Sequence, residues 1–392
     1  MKRLGTVSAI ALLGALAFAP AVQAASELVI GYSMAKTGPY VSLANSNEIA
    51  ADMAVDEINA KGGVNGRKIK LTKFDTGGNP KDASAAVRRF AVDDKALAIV
   101  GPFSSSECRV AFPDGERMGI VQMSMASSAP GLTADMSYAF RNTVDEGKVI
   151  SDVMETFARK KIPSARAAIA YGTDDAVSKA IGTGVLPKVF EQYKSQVVST
   201  VDFSVKAFDL SPQASQLVQA KPEVIGFGAP PEMAIKLATE LQRQGLKARM
   251  IAGTTVADPD LPKRMAPAGE GFTIGTTFFR DLNPATKAFS AEFEKRAKAA
   301  GLPRTEPSQM DAATYDIVLM YADALAKTKA TGDDANLAKE RTAIRDHLAK
   351  LKNHPMLEGP ISFGANRDSI KPIYILEAKQ AAWTLIDTHE PK

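Results

Sequence analysis

Residues 28–63 read LVIGYSMAKTGPYVSLANSNEIAADMAVDEINAKGG. Leu28 to Met34 is a short apolar run of strand length, closed by the turn residues Lys36-Thr37-Gly38-Pro39-Tyr40. Ile49 to Ala60 then carries helical periodicity, with Ala51, Met53, Ala54 and Ile58 on one side and Asp52, Asp56 and Glu57 on the other. Gly62-Gly63 stops that helix. Further strands are expected at Lys68 to Phe74, Leu97 to Val100 and Ile120 to Met125. Helices are expected at Asp82 to Val92 and from the Gly101-Pro102 turn to Met118. Strands and helices alternating at this rhythm predict an α/β fold, a parallel sheet covered on both faces.

The rhythm restarts after Asp145. Helices are expected at Val149 to Arg159, Asp175 to about Tyr193, Pro212 to Ala220 and Pro231 to Gln244. Strands are expected at Ala167 to Tyr171, Val197 to Phe203, Val224 to Phe227, Met250 to Ala252 and Phe272 to Phe279. Three long helical patterns follow up to Leu351, and then antiparallel strands at Pro360 to Phe363, Pro372 to Ala378 and Ala382 to Ile386. A length of 392 residues is too great for one core, and two doubly wound lobes with a cleft between them are the expected architecture.

The first residues set the compartment. Lys2 and Arg3 precede an apolar run that ends at Val22-Gln23-Ala24, the pattern of a secretory signal peptide over residues 1–24. The protein is therefore expected in the periplasm. No later segment has the roughly 20 apolar residues of a membrane span, and no cysteine stands at the cleavage point, so neither a membrane nor a lipid anchor is expected. Cys108 is the only cysteine and can form no disulfide within the chain. Removal of Lys2 and Arg3 takes the formal charge of +4 to about +2, a balance that points to neither nucleic acid nor an anionic membrane surface.

Catalysis has little support. His347, His354 and His389 are the only histidines, all near the C-terminus. They read as surface residues, none in a nucleophile motif and no two at metal-ligand spacing, so neither a metal nor a cofactor is expected. Gly226-Phe227-Gly228 follows a strand without completing a phosphate loop, and Asp174-Asp175 reads as the cap of the next helix. The richest polar cluster lies at two strand ends: Gly101-Pro102-Phe103-Ser104-Ser105-Ser106-Glu107 and Ser124-Met125-Ala126-Ser127-Ser128-Ala129-Pro130. Hydroxyls and backbone N–H groups there suit a carboxylate, although either loop alone could serve only as a helix cap.

These residues resemble a known family. The stretch Ala54-Val55-Asp56-Glu57-Ile58-Asn59-Ala60-Lys61-Gly62-Gly63-Val64-Asn65-Gly66 is close to its most characteristic motif. Ile30-Gly31-Tyr32-Ser33-Met34-Ala35-Lys36-Thr37-Gly38-Pro39-Tyr40, Ala98-Ile99-Val100-Gly101-Pro102, Phe140-Arg141-Asn142-Thr143 and Ala313-Thr314-Tyr315-Asp316 fit in order. The family is the branched-chain amino acid type of periplasmic binding proteins, with the type I two-lobed fold. The resemblance implies three hinge crossings, near Asn142 to Asp145, Thr276 to Phe279 and Leu357 to Ser362. Lobe one would hold residues 26–143 and 279–355, and lobe two 146–276 and 358–392. It also implies a monomer that hands its ligand to the permease of an ABC importer in the inner membrane.

Carried over by motif, Ser105 would hold the ligand carboxylate, with Ala126, Ser127 and Ser128 completing the clamp beside Phe103 and Ser104. Leu43, just after Tyr40, falls where an aromatic often covers the ligand. Lobe two departs from the amino-acid pattern: Ala176-Val177 and Ala229 stand where tyrosines are common, and Thr254 where an acidic residue often meets the ammonium. A buried ammonium without a carboxylate partner is costly. The expected ligand is therefore a carboxylate with an apolar body, an aromatic or other organic acid. An amino acid remains the alternative, with Asp174, Asp175 or Glu232 reaching the pocket. Arg280 near the cleft mouth is a further candidate for the carboxylate or a solvated arginine, Met310 touches the ligand or only the core, and Arg141 ties the first hinge. A soluble sensor would use the same pocket; a hydrolase would need a nucleophile with a base in reach.

Overall fold

The structure, a computed structural model, describes residues 27–391; the expected signal peptide lies outside them. Five parallel strands form the first sheet: β1 (Leu28–Met34), β2 (Ile69–Asp75), β3 (Ala98–Val100), β4 (Val121–Ser124) and β5 (Ala139–Arg141), in the order β2-β1-β3-β4-β5. Both faces are covered, as a parallel sheet requires. Ile30, Tyr32, Val100 and Met123 pack with Ile317 and Tyr321 of helix Gln309–Thr328. Val29 and Ile99 face Phe90 and Ala111 on the other side.

The second sheet contains β6 (Arg166–Gly172), β7 (Gln196–Phe203), β8 (Val224–Gly228), β9 (Arg249–Ala252) and β10 (Thr273–Thr276), all parallel. Alternation along β6 divides its two cores: Ala168 and Ala170 meet Phe227 and Leu237, while Ala167 and Ile169 meet Val153 and Phe190. Strands β11 (His354–Met356), β12 (Gly359–Phe363) and β13 (Ser369–Ile370) form a small antiparallel sheet. The final hairpin, β14 (Ile373–Lys379) and β15 (Ala382–His389), adds antiparallel strands to the second sheet beside β10.

Three details differ from the sequence reading. The helix expected from Asp175 to Tyr193 is interrupted by a π turn at Ile181–Val185. Pro187 supplies no N–H there, and Gly182 lies so close to Tyr171 that a Cβ would come within 2.0 Å of its ring. The short strands β5, β11 and β13 carry too few residues for a periodic signal. Lastly, Ile361 and Phe363 pack in the core of the first sheet, not the second. We therefore assign residues 358–370 to the first lobe and place the last crossing between Ile370 and Ile373.

The crossings share one buried network. Lys371 and Glu358, each 1% exposed in the side chain, pair at 2.5 Å. Lys371 also donates to the carbonyl and side-chain oxygens of Asn142 at 2.9 and 3.0 Å. The Thr277 hydroxyl donates to the same Glu358, whose backbone N–H donates to Asp316 at 3.1 Å. Asn142, Thr277 and Lys371, one residue from each passage between the sheets, thus meet around Glu358.

Candidate ligand cleft between the lobes

The two serine loops leave adjacent strands β3 and β4 on the side that faces the second lobe. Gly101 makes the first loop possible: its φ is +106°, and a Cβ would lie 2.5 Å from the Ser33 carbonyl oxygen. Ser104 caps helix Ser105–Met118 through a capping box with Glu107. Its hydroxyl donates to Glu107 at 2.7 Å, so Ser104 is committed to the helix although it borders the cavity. Ser105 is different. Its oxygen accepts the Ala129 N–H at 3.3 Å, which leaves the hydroxyl proton for the cavity it lines.

The second loop is held from behind. Arg141, fully buried, donates to the Ser127 and Ala129 carbonyls at 3.1 and 2.6 Å and pairs with Asp368 at 2.6 Å. The N–H groups of Ala126 and Ser127 are taken by the Ser124 hydroxyl oxygen at 3.3 and 3.1 Å. Ala126 therefore contributes surface to the cavity and not the expected backbone donor. Ser127 is turned away from it, beside the buried Cys108 thiol. Burial pushes that thiol up to about 12, which leaves it unreactive.

The second lobe supplies Asp175, Val177, Ser178, Pro230, Thr254 and Thr255. Tyr40, Leu43, Phe103 and Met310 form the apolar wall opposite, with the Tyr40 and Phe103 rings 5.8 Å apart. The cavity is narrow, about 40 Å³, room for a few waters. A direct bond crosses it, from the Tyr40 hydroxyl to Asp175 Oδ1 at 3.0 Å. Asp175 also caps the following helix by accepting from Ser178 N–H and hydroxyl at 2.9 and 2.5 Å.

Eleven of the residues singled out in the sequence thus line one space: Tyr40, Leu43, Phe103, Ser104, Ser105, Ala126, Ser128, Asp175, Val177, Thr254 and Met310. Three other ligand candidates do not. Ser127 is buried behind the loop. Ala229 has no exposed surface and packs in the second-lobe core, where its neighbour Pro230 forms the wall instead. Arg280 lies in a separate groove near the hinge and pairs with Glu294 and Glu306 at 2.7 and 2.6 Å, so its charge is already met. Of the three acids considered, only Asp175 reaches the cavity. Asp174 accepts from Ser204 at 2.6 Å and Glu232 from Arg264 at 3.3 Å.

Sequence reasoning missed Glu146. This carboxyl is fully buried behind Ser128 and Thr254. It accepts from the Ser128 hydroxyl at 2.9 Å, from the Thr254 N–H at 3.1 Å and from the Thr254 hydroxyl. Gly253 gives it room, since a Cβ there would lie 1.7 Å from Glu146 Oε2. Burial raises it to about 7 against the pull of these donors. An acid thus stands directly behind Thr254, and it comes from the first turn of helix Glu146–Arg159, more than 100 residues earlier in the chain. Thr255 was also missed; its buried hydroxyl oxygen has no hydrogen-bond partner among the described residues.

The cavity-lining side chains offer one carboxylate and neither histidine nor cysteine, too few for a metal. His347 and His354 are partly exposed, whereas His389, expected at the surface, is only 8% exposed. None of the three lines the cavity. Among the described residues no helix is long and apolar enough to cross a membrane.

Comparison with known proteins agrees with this arrangement. The family model described as periplasmic binding protein matches residues 27–382. Leu/Ile/Val-binding protein homolog 1 of Brucella melitensis is 26% identical over 371 residues, covering 91% of this chain and 94% of that protein. The leucine binding protein LivK of Thermotoga maritima superposes with a TM-score of 0.80 at 22% identity, over 93% of this chain and 99% of the other. A solute binding protein of an ABC transporter from R. palustris, in complex with benzoate, gives 0.78 at 18% identity, over 93% and 97%. The two structures share the fold. The family match spans both lobes and the cleft between them, and this chain belongs to the type I periplasmic binding proteins of the branched-chain amino acid family.

Proposed function

We propose that this protein captures a small carboxylate in the periplasm and delivers it to the inner-membrane permease of an ABC importer, an aromatic or other organic acid being the favoured ligand. It acts as a monomeric binder and not as an enzyme. The observation that carries the reading is Ser105: a hydroxyl with a free proton, at the N-terminus of a 14-residue helix, opening into a cleft walled by Leu43, Phe103, Val177 and Met310. Hydroxyl and helix N-terminus hold a carboxylate without a cation, and the wall suits an apolar body. Thr255 supplies a second hydroxyl from the other lobe, so a ligand between them bridges both and favours closure.

The preference for an acid over an amino acid rests on the two carboxyls nearby. Glu146 is enclosed behind Ser128 and Thr254, and the Asp175 oxygens already accept three bonds. Asp175 does border the cavity, and this favours an amino acid as the second reading, its ammonium displacing the Tyr40 hydroxyl. A thermal-shift screen with benzoates and aliphatic acids on one side and aliphatic amino acids on the other separates the two. Ligands that bind only the folded protein raise the melting point by mass action. A shift with acids alone supports the proposal; a shift with amino acids alone transfers the site to the second reading.

A further inference from the structure

We propose that the ligand is a hydroxy acid and that Asp175, beside Tyr40, is the residue that reads its hydroxyl. The inference rests on the capture of a carboxylate in this cleft and narrows the class of acid. Asp175 follows β6, is 9% exposed and is the one charged side chain on the cavity. Its partners among the described residues are neutral. Oδ2 accepts the Ser178 N–H at 2.9 Å and the Ser178 hydroxyl at 2.5 Å. Oδ1 accepts the Tyr40 hydroxyl alone, at 3.0 Å, along a bond that crosses the cleft. A carboxylate has about four places for donors, so one stays open, on Oδ1.

The chemistry of that place selects its occupant. Ser105 and Thr255 offer hydroxyl protons to a carboxylate, whereas Asp175 offers only an acceptor. A ligand carboxylate is repelled from Asp175, so the part of the ligand that meets it must be a donor. A methyl or ether group brings no proton. An ammonium brings three N–H donors to one open place and leaves others against the apolar wall of Leu43, Phe103 and Val177. A hydroxyl brings one proton and fills the place, while the Tyr40 bond persists in the closed form. Asp175 is satisfied three times without the ligand, so an acid lacking the hydroxyl forfeits one charge-assisted bond and nothing more. That bond is worth about 10- to 100-fold in Kd.

The test is calorimetric titration of the exported protein with matched acids: benzoate against ortho-, meta- and para-hydroxybenzoate, and butyrate against hydroxybutyrate and aminobutyrate. At least one hydroxy acid should bind tenfold or more tighter than its parent acid, and its methyl ether should show no gain. In Asp175→Ser, which keeps an oxygen to cap Ser178 N–H, the ratio of the two Kd values should fall to about one. Asp175→Asn, which keeps an acceptor oxygen of the same reach, should retain part of the ratio. A general loss of structure weakens both acids alike and leaves the ratio unmoved, so the ratio reports on Asp175 alone. Equal affinity for parent and hydroxy acids, a larger gain from the amino form, or an unchanged ratio in Asp175→Ser overturns the inference while the capture of a carboxylate stands. Binding of none of these acids overturns both.

Discussion

Binding of an organic acid near neutral pH should draw a proton onto the protein through Glu146. The carboxyl is raised to about 7, so at that pH half of the molecules carry the proton. The Ser128 hydroxyl links it to the cavity at 2.9 Å, which places a ligand carboxylate at roughly 6 Å. Two like charges at roughly 6 Å with an effective dielectric near 20 repel by about 3 kcal/mol, equivalent to about 2 pH units. That shift moves Glu146 from half to almost fully protonated, an uptake of about half a proton per ligand. An amino acid whose ammonium lies toward Glu146 acts in the opposite sense and releases about half a proton. Isothermal titration in two buffers of different ionisation enthalpy, at pH 7, reads the number directly. Glu146→Gln should remove the buffer dependence while keeping the bonds from Ser128 and the Thr254 N–H. Equal buffer dependence in parent and variant would refute the role given to Glu146. The free protein offers a cross-check. A carboxyl raised from 4.5 to about 7 binds its proton more tightly folded than unfolded, so its contribution to stability grows as pH falls through 7 toward 4.5. Glu146→Gln should flatten that part of the profile of melting temperature against pH.

Three further outcomes follow from the geometry. Ser105→Ala should weaken acid binding by about 1–3 kcal/mol, the cost of an unmet buried acceptor; calorimetry showing unchanged affinity would take Ser105 out of the site. Tyr40→Phe removes the hydrogen bond to Asp175 that crosses the cleft. It should cost about 1 kcal/mol of closure and so about fivefold in apparent affinity, and small-angle scattering should find the free protein more open. Lys371→Met leaves Glu358 buried beside Asp316 without its cation. Chemical denaturation should show a loss of about 3–5 kcal/mol, while a loss below 1 kcal/mol would mean that the hinge network is not what holds the crossings together.

The site was legible to the extent that it sits at strand ends. Apolar runs at Ala98–Val100 and Val121–Ser124, each followed by serines, placed Ser105 and Ser128 together because parallel neighbours expose their carboxyl ends on one side. Ser127 and Ser128 show the limit of that argument. Adjacent residues in an extended loop point opposite ways, and only the anchoring of the loop by Arg141 decides which hydroxyl meets the cavity. Ala229 was misplaced by one residue for the same reason.

The alternation of short apolar runs with amphipathic helices determined the two-lobed α/β fold, because periodicity is a local property that each segment carries for itself. The relation of Glu146 to Thr254, of Tyr40 to Asp175 and of Asn142 to Glu358 and Lys371 was decided only by tertiary structure. These partners lie far apart in the chain, and nothing local distinguishes a buried acid at a helix start from the exposed caps at other helix starts. What separates them is burial, which only tertiary packing supplies.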